Sequence, residues 1–190
     1  NLSTKQQSYI DAMRLSGDLL LNRVNDVLDL SSFESGKIAL VPRAFDLSEM
    51  LEELLQSLSG AALKFGNKLV LSSTPQVPQF VLGDKTRLRQ IFSNLLGNAI
   101  KYSQNGQITL EVAQLTGPDS EGRIEFKVID HGIGISEQDI PHIFEDFYTV
   151  DNSLTRKSEG TGLGLGITKR LVNKMGGEIG VTSTLGSGSV

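Results

Sequence analysis

Apolar positions in the first part of the chain recur at spacings of three and four residues, which predicts one helix over residues 3–31. Seven positions form the seam of this helix, namely Ile10, Met13, Gly17, Leu20, Val24, Val27 and Ser31. Three leucines widen the seam, as a helix in a four-helix bundle requires: Leu19, Leu21 and Leu28. The seam can pack on its own domain or on a helix of another chain. We expect a helix of another chain, because the following segment SSFESGK breaks the pattern.

Three more segments have the apolar spacing of amphipathic helices. They are residues 47–66, with Ser48 as N-cap and Gly66 as the C-terminal stop, residues 84–103 and residues 164–176. Other segments are predicted to form strands, and two of them, QITLEVAQL and RIEFKVID, alternate apolar and polar residues. The predicted strand segments are KIALVPRAFDL, which turns at Pro42, then NKLVLSS, QITLEVAQL, RIEFKVID and residues 178–183.

The connecting segments contain the usual turn residues. The segment GPDSEG predicts a hairpin turn, TPQVPQFVLG is a proline-punctuated connection, and residues 131–163 are rich in loops. Helices and strands alternate without a regular strand–helix–strand order. We therefore expect the α+β class, as a two-layer α/β sandwich in which helices cover a mixed sheet, preceded by one long α-helix.

Composition narrows the classes of protein. The chain has 190 residues, enough for one well-cored domain and an additional element. Its formal net charge of −4 gives no general basic field, so nucleic acid is not an expected partner. The absence of cysteine excludes disulfides, cysteine–zinc sites and thiol catalysis. The sequence contains no run of about 18 apolar residues, the length that would predict a membrane span.

The helix predicted over residues 84–103 has an unusual polar group beside its apolar stripe. Asn94 and Asn98 are four residues apart and Lys101 follows three residues later, so all three share one face. Asparagine is a mediocre residue for a helix interior. Asn98 offers a neutral oxygen for Mg²⁺, and Lys101 offers a point charge for a phosphate. Taken alone, this helix is equally well explained by a solvated polar face.

Two glycine-containing segments offer further candidate chemistry. In VIDHGIGI an apolar strand ends at Asp130, whose carboxylate can accept a hydrogen bond from an exocyclic amine. In GTGLGLGI four alternate positions, starting at Gly160, are glycines at the mouth of a predicted helix, where backbone N–H groups can bind a phosphate. A flexible loop explains the second pattern equally well. It fits neither the P-loop nor the dinucleotide-binding fingerprint.

Together and in this order, these segments resemble the catalytic ATP-binding domain of sensor histidine kinases, in the superfamily of gyrase, Hsp90 and MutL. DKTRLRQIFSNLLGNAIKYS is similar to the N box, DHGIGI to the first glycine box, IFEDFYTV to the phenylalanine box and GTGLGLGI to the second glycine box. VNDVLDLSSFESGKI resembles the end of the second helix of the dimerisation and phosphotransfer hairpin. The resemblance implies a Bergerat-type ATP-binding domain over residues 37–190, with its last strand truncated, after a partial hairpin helix over residues 1–36.

The resemblance implies ATP and Mg²⁺ as cofactors. The implied ATP-binding residues are Asn94, Asn98, Lys101, Tyr102, Asp130, Gly132, Gly134, Ile135, Arg156, Lys157, Gly160, Thr161, Gly162, Leu163 and Gly164. Asn98 is the implied magnesium ligand, and Asn94 and Lys101 are the implied catalytic residues. Asp130 would accept from the adenine N6 amine. Residues 146–161 match the mobile ATP lid, for which Phe144 and Phe147 would be hydrophobic anchors.

Within this lid the resemblance implies that Arg156 and Lys157 touch the γ-phosphate. It also implies that Gly160, Gly162 and Gly164 cover the phosphates. The implied enzyme is a protein-histidine kinase that phosphorylates a histidine on a helix outside this chain, for onward transfer to an aspartate of a response regulator. His131, in the pocket turn, and His142, expected to be a partly buried packing or capping residue, are not expected acceptors.

The implied partners are a second copy of the chain, bound through the N-terminal helix, and a response regulator or receiver domain. The implied location is the cytoplasmic part of a membrane-anchored sensor. Two alternatives stay open. An ATPase of the same superfamily typically has Glu at the position of Asn94, where an amide cannot act as a general base. A non-catalytic nucleotide-binding or dimerisation module would bind without phosphotransfer.

Overall fold

The computed structural model describes residues 3–35, 38–117, 122–150 and 161–190. The helices in these ranges are α1 Thr4–Glu34, α2 Leu47–Lys64, α3 Lys85–Tyr102 and α4 Gly164–Lys174. The strands are β1 Arg43–Asp46, β2 Lys68–Ser73, β3 Phe80–Gly83, β4 Gln107–Gln114, β5 Ile124–Ile129, β6 Ser183–Thr184 and β7 Gly188–Ser189.

The central sheet is mixed, with β4 parallel to β2 on one side and antiparallel to β5 on the other. The register places Leu71 beside Leu110, and Leu110 beside Val128. Residues in register point to the same side of a sheet, so the apolar residues of all three strands share one face. The buried positions Ile108, Leu110 and Val112 of β4 form the centre of this face.

Helices α2 and α3 supply the second layer of the core. Met50 and Leu54 of α2 and Leu96 of α3 are almost completely buried with the apolar residues of β4. The rings of Phe92 in α3 and Phe126 in β5 lie with their centroids 4.9 Å apart. The predicted α+β class, with a mixed sheet and covering helices, is confirmed.

Helix α1 begins with a capping box between Ser3 and Gln6 and ends three residues beyond the predicted limit. Near its end, Leu30 and Phe33 pack on the core. Earlier apolar positions are exposed, among them Ile10, Met13, Leu20, Leu21, Val24, Val27 and Leu28. The side chain of Leu19 lies outside what the structure describes. In the described ranges, no helix combines the length and the apolar character that a bilayer crossing requires.

Several predicted elements shift in the structure. The strand predicted from residue 37 starts only after Pro42, because the backbone N–H of Val41 donates to Oδ2 of Asp84 instead of to a strand. The cap of α2 is Asp46, not Ser48: its Oδ1 accepts from the N–H of Glu49 over 2.9 Å. The prediction of a proline-punctuated connection over TPQVPQFVLG is partly wrong, since its last four residues form β3, which pairs with β1.

The strand predicted over residues 178–183 is also wrong for most of its length. Only its last residue, Ser183, belongs to a strand, as part of β6. The backbone of Thr182 exchanges two hydrogen bonds with Val190, and Asp130 forms a single bridge with Ser189. The short β6–β7 hairpin thus attaches the chain end to the end of β5.

Candidate functional site

An open cleft of about 1090 Å³ lies between α3, α4, the end of β5 and the turn that follows it. Ten of the predicted site residues line this cleft: Asn94, Asn98, Lys101, Tyr102, Asp130, Gly134, Ile135, Thr161, Gly162 and Gly164. Gly132 and Leu163 do not line it, and Leu163 is buried in the core. Arg156, Lys157 and Gly160 lie outside the described residues.

Helix α3 supplies the polar wall of the cleft. Asp84 is the N-cap of this helix, because its Oδ1 accepts from the N–H of Arg87. The cap fixes where the helix starts and therefore which residues of α3 face the core. Its apolar stripe packs into the core, which leaves Asn94, Asn98 and Lys101 at the cleft. The three polar residues that the sequence places on one helix face are therefore brought to one surface.

The two asparagines of α3 differ in their surroundings. The amide nitrogen of Asn94 donates to Oγ1 of Thr168 in α4 over 2.8 Å, and Thr168 is buried. Within the described part of the chain, no hydrogen bond engages the side chain of Asn98. Asn94 thus joins the two helices that flank the cleft, while the amide of Asn98 is available to a ligand.

Lys101 and Tyr102 lie at the end of α3. The ammonium nitrogen of Lys101 is 4.7 Å from the ring centroid of Tyr102, within the range of a cation–π contact. Tyr102 ends the helix with about a third of its surface exposed. The end of α3 therefore brings a cation and an aromatic ring to the same part of the cleft.

Asp130 directly follows β5, and only one of its two carboxylate oxygens is engaged. Its Oδ1 accepts from the N–H of Gly132 over 2.8 Å and from the hydroxyl of Ser103 over 3.4 Å. No described residue donates to its Oδ2. Since Asp130 lines the cleft, one oriented acceptor oxygen is available there.

The glycines after Asp130 permit close packing within the protein. A methyl group at Gly132 would overlap the carbonyl oxygen of Tyr102, and one at Gly134 would overlap the backbone of Thr184. Gly134 also has a φ of +68°, which favours glycine. Both glycines therefore hold the turn after β5 against the end of α3 and the β6–β7 hairpin.

Helix α4 presents its N-terminus to the cleft. The first turn of the helix begins at Gly164, and no side chain among the described residues caps it. The first-turn N–H groups of an α-helix have no acceptor inside the helix, and the helix dipole is positive at this end. Gly162, Gly164 and Leu165 line the cleft, so this end of α4 suits an anion.

The segment Phe144–Tyr148 packs beside the glycine loop. The backbone N–H of Phe147 donates to the carbonyl oxygen of Gly162 over 2.9 Å. Phe144 lines the cleft. The expectation that Phe147 is a hydrophobic anchor is wrong, because its surface is 67% exposed. Its backbone makes the connection instead.

A hydrogen-bonded turn connects the cleft to this segment. The hydroxyls of Ser136 and Tyr148 each donate to the carboxylate of Asp139 over 2.6 Å. These two bonds hold the pKa of Asp139 below its usual value, and the same bond to Asp139 raises the pKa of Tyr148. The turn is therefore ordered by two hydrogen bonds to a carboxylate that stays ionised at neutral pH.

Neither histidine lies in the cleft. His131 is exposed and is not part of the lining. The prediction that His142 is partly buried is wrong: it is exposed, with Nδ1 2.9 Å from Oε1 of Glu145. Thr168 and Ser103 were not predicted as site residues. The only sequence signal for either residue is its position: Thr168 lies four residues after Gly164, and Ser103 directly follows α3. Both are polar residues that the structure shows to be buried.

A family model described as "Histidine kinase-, DNA gyrase B-, and HSP90-like ATPase" matches residues 83–190, more than half of the chain. The sensor protein GacS of Pseudomonas syringae pv. syringae is 41% identical over 99% of this chain and 21% of its own length. The signal transduction histidine-protein kinase BarA of Escherichia coli K12 is 40% identical over 99% of this chain and 20% of its own length. The chain thus spans about a fifth of the length of these curated relatives.

A crystal structure of full-length ShkA in complex with AMPPNP is 35% identical, with a TM-score of 0.81 over 100% of this chain and 38% of that chain. The Acinetobacter baumannii histidine kinase AdeS shares the fold, with a TM-score of 0.75 at 21% identity over 100% of this chain and 83% of that chain. The resemblance stated from the sequence motifs is confirmed. The chain belongs to the histidine kinase-, DNA gyrase B- and HSP90-like ATPase family.

Proposed function

We propose that this chain is the ATP-binding catalytic part of a sensor protein-histidine kinase, which binds Mg²⁺-ATP in the cleft and transfers the γ-phosphate to a histidine on a helix outside residues 1–190. One observation carries the proposal: the amide of Asn98 and the ammonium group of Lys101 share a cleft with the uncapped N-terminus of α4. A ligand with a polyphosphate and a divalent cation matches this combination.

The end of the cleft at β5 would bind the adenine. The Oδ1 atom of Asp130 is occupied by the N–H of Gly132, which leaves Oδ2 to accept from the N6 amine. Guanine carries a carbonyl at the corresponding position and would face a carboxylate oxygen. The exposed ring of Tyr102 at the end of α3 would line the nucleotide.

The part of the cleft between Lys101 and the N-terminus of α4 would bind the phosphates and the metal. First-turn N–H groups of α4 and the ammonium group of Lys101 favour negative charge. The amide oxygen of Asn98 would hold Mg²⁺, which prefers oxygen ligands and keeps several waters. When bound, Mg²⁺ supplies charge neutralisation for phosphoryl transfer. Arg156, Lys157 and Gly160 belong to this proposal as γ-phosphate contacts and lie outside the described residues.

Asn94 favours a kinase over an ATPase of the same superfamily. Activation of water requires a general base, and the amide of Asn94 cannot accept a proton. Its nitrogen already donates to Thr168, so this side chain would orient the phosphate end of the cleft. Positioning and charge neutralisation are the protein's main contributions to phosphoryl transfer.

The acceptor histidine would come from outside residues 1–190. His131 and His142 are exposed and absent from the cleft lining, so neither can meet a γ-phosphate bound there. The exposed seam of α1, which includes Met13, Leu20 and Val24, would pair with a second copy of the chain. A response regulator or receiver domain would take the phosphate onward, on the cytoplasmic side of a membrane-anchored sensor.

Calorimetry with Mg²⁺-ATP tests the binding part of the proposal. We expect binding of micromolar to millimolar strength, about 4–8 kcal/mol. Asn98→Ala should remove most of this binding and its dependence on Mg²⁺. Asn173→Ala is a matched control, because Asn173 is an exposed asparagine that does not line the cleft. Equal Mg²⁺-ATP affinity of Asn98→Ala and the parent would contradict the metal assignment.

A further inference from the structure

The fourth glycine of GTGLGLGI, Gly166, lies outside the cleft that the other described glycines of this loop line. It is buried in the first turn of α4. A methyl group at Gly166 would overlap Oδ1 of Asp146, and it would lie 3.5 Å from the carbonyl oxygen of Phe144. The glycine therefore makes room for a carboxylate side chain from the neighbouring segment.

The carboxylate of Asp146 lies against one face of α4, where it contacts the positions of Gly166 and Arg170. Arg170 is four residues after Gly166, so both lie on the same helix face. The guanidinium of Arg170 donates to Oδ2 of Asp146 and forms an ion pair with it. The other oxygen, Oδ1, is buried and has no hydrogen-bond partner among the described residues.

This carboxylate is unusual because it lies next to a helix N-terminus that suits an anion. Free N–H groups in the first turn of a helix attract carboxylates as well as phosphates. Arg170 is the cation that engages the carboxylate, from a position one turn further along α4. The backbone of the adjacent residue, Phe147, is hydrogen-bonded to Gly162 in the glycine loop, so Asp146 is held close to the cleft.

We propose that Asp146, Gly166 and Arg170 form a brace in which Arg170 neutralises Asp146 and keeps its carboxylate from competing with ATP phosphates for the N-terminus of α4. This inference rests on the proposed binding of ATP in the cleft. Arg170 is a positioning residue that acts through Asp146. Gly166 provides the space in which the carboxylate is held.

The test compares ATP with adenosine, which has the base but no phosphate. Arg170→Gln should weaken Mg²⁺-ATP binding about fivefold to twentyfold, because an uncompensated carboxylate then lies beside the helix N-terminus that is proposed to bind the phosphates. Adenosine affinity should change by less than about twofold, since adenosine has no phosphate with which the carboxylate could compete. Lys169→Gln is the matched control: it removes the neighbouring, exposed cation of α4, which is not paired with Asp146.

The double variant Asp146→Asn with Arg170→Gln should recover ATP affinity to within about threefold of the parent, because no carboxylate remains to compete. Asp146→Asn alone should bind ATP at least as tightly as the parent, and this variant decides the matter if Arg170→Gln does not unfold cooperatively. The inference is overturned if Arg170→Gln binds ATP like the parent, if the double variant shows no recovery, if adenosine loses as much as ATP, or if Asp146→Asn binds ATP more weakly. A parent that binds neither ATP nor adenosine would instead contradict the proposed function.

Discussion

The side-chain amide of Asn94 in α3 donates to the hydroxyl of Thr168 in α4 over 2.8 Å, and Thr168 is almost completely buried. A small cavity of about 50 Å³ lies beside the pair, lined by residues of α3 and α4 only. This hydrogen bond fixes the N-terminal half of α4, and with it the glycine loop, relative to the helix that carries Asn98 and Lys101.

Thr168→Val tests this connection with little change in side-chain volume. It should lower the free energy of unfolding by about 1–3 kcal/mol, because the amide of Asn94 loses its acceptor in a half-buried position. It should also weaken Mg²⁺-ATP binding. Urea unfolding and calorimetry measure the two effects. Thr168→Ser is the control, since it keeps the hydroxyl and removes the methyl group; a loss in Thr168→Ser with none in Thr168→Val would show that the methyl group, and not the hydrogen bond, matters.

Asp130→Asn tests the adenine assignment without breaking the turn. The amide oxygen can still accept from the N–H of Gly132, while an NH₂ group replaces the free Oδ2. ATP binding should weaken by about 1.5–3 kcal/mol, the range for a hydrogen bond to a charged group. GTP, which we expect to bind poorly to the parent, should gain relative to ATP. A parent that binds ATP and GTP equally, measured by competition, would contradict this role of Asp130.

The amino-acid sequence predicts the cleft residues of α3 well, because their positions follow from local features. Asp84 caps the helix, and the apolar stripe fixes which face meets the core. Asn94, Asn98 and Lys101 therefore lie together on a face that is not packed on the core. The motif order likewise identified the turn at Asp130 and the glycine loop. Each of these features depends on residues close together in the sequence.

The predictions that were wrong depend on contacts between distant residues. The choice of Asp46 over Ser48 as cap follows from Gln79, whose carbonyl oxygen accepts from the N–H of Leu47 and whose amide donates to Asp46. Residues 178–181 have the composition of a strand, but no described segment forms backbone hydrogen bonds with them. Pairing with the chain end begins only at Thr182. Periodicity cannot reveal whether such a neighbour exists.

Asp84 predicts a dependence of stability on pH. Burial raises the pKa of its carboxyl group, but the N–H groups of Val41, Arg87 and Thr86 outweigh burial and hold the pKa below its usual value. The stabilisation is therefore present above the ordinary carboxyl pKa and is lost as the pH falls through the lowered value. Asp84→Asn should cost about 1–2 kcal/mol of unfolding free energy at pH 7, because its amide oxygen still caps the helix at Arg87 but its NH₂ group cannot accept from the N–H of Val41.

The difference between Asp84→Asn and the parent should shrink below about pH 4, where the parent carboxylate also becomes protonated. Urea unfolding at pH 3, 5 and 7 measures this. Asp139→Asn is a useful comparison, because its carboxylate also has a lowered pKa but bonds to Ser136 and Tyr148 at the surface. A constant difference for Asp84→Asn across all three pH values would contradict the assignment.

Helix α1 should mediate self-association through its exposed seam. Leu20 and Val24 are 64% and 47% exposed, and neither packs on the domain core. The double substitution Leu20→Asp and Val24→Asp should yield a monomer in sedimentation equilibrium while ATP affinity stays within about twofold, because distant sites act independently. A parent that is monomeric at high micromolar concentration would contradict a dimer through α1.

The proposed function requires this chain to deliver the γ-phosphate of ATP to a histidine outside residues 1–190. Labelling with [γ-³²P]ATP tests it most directly, by comparing residues 1–190 with a longer protein in which a histidine-bearing helix precedes α1. We expect acid-labile, base-stable phosphate on the longer protein, lost in Asn98→Ala, and none on the shorter chain. Acid-labile label on the shorter chain that disappears in His131→Ala or His142→Ala would contradict the proposed function, as would a longer protein that binds Mg²⁺-ATP and never becomes labelled.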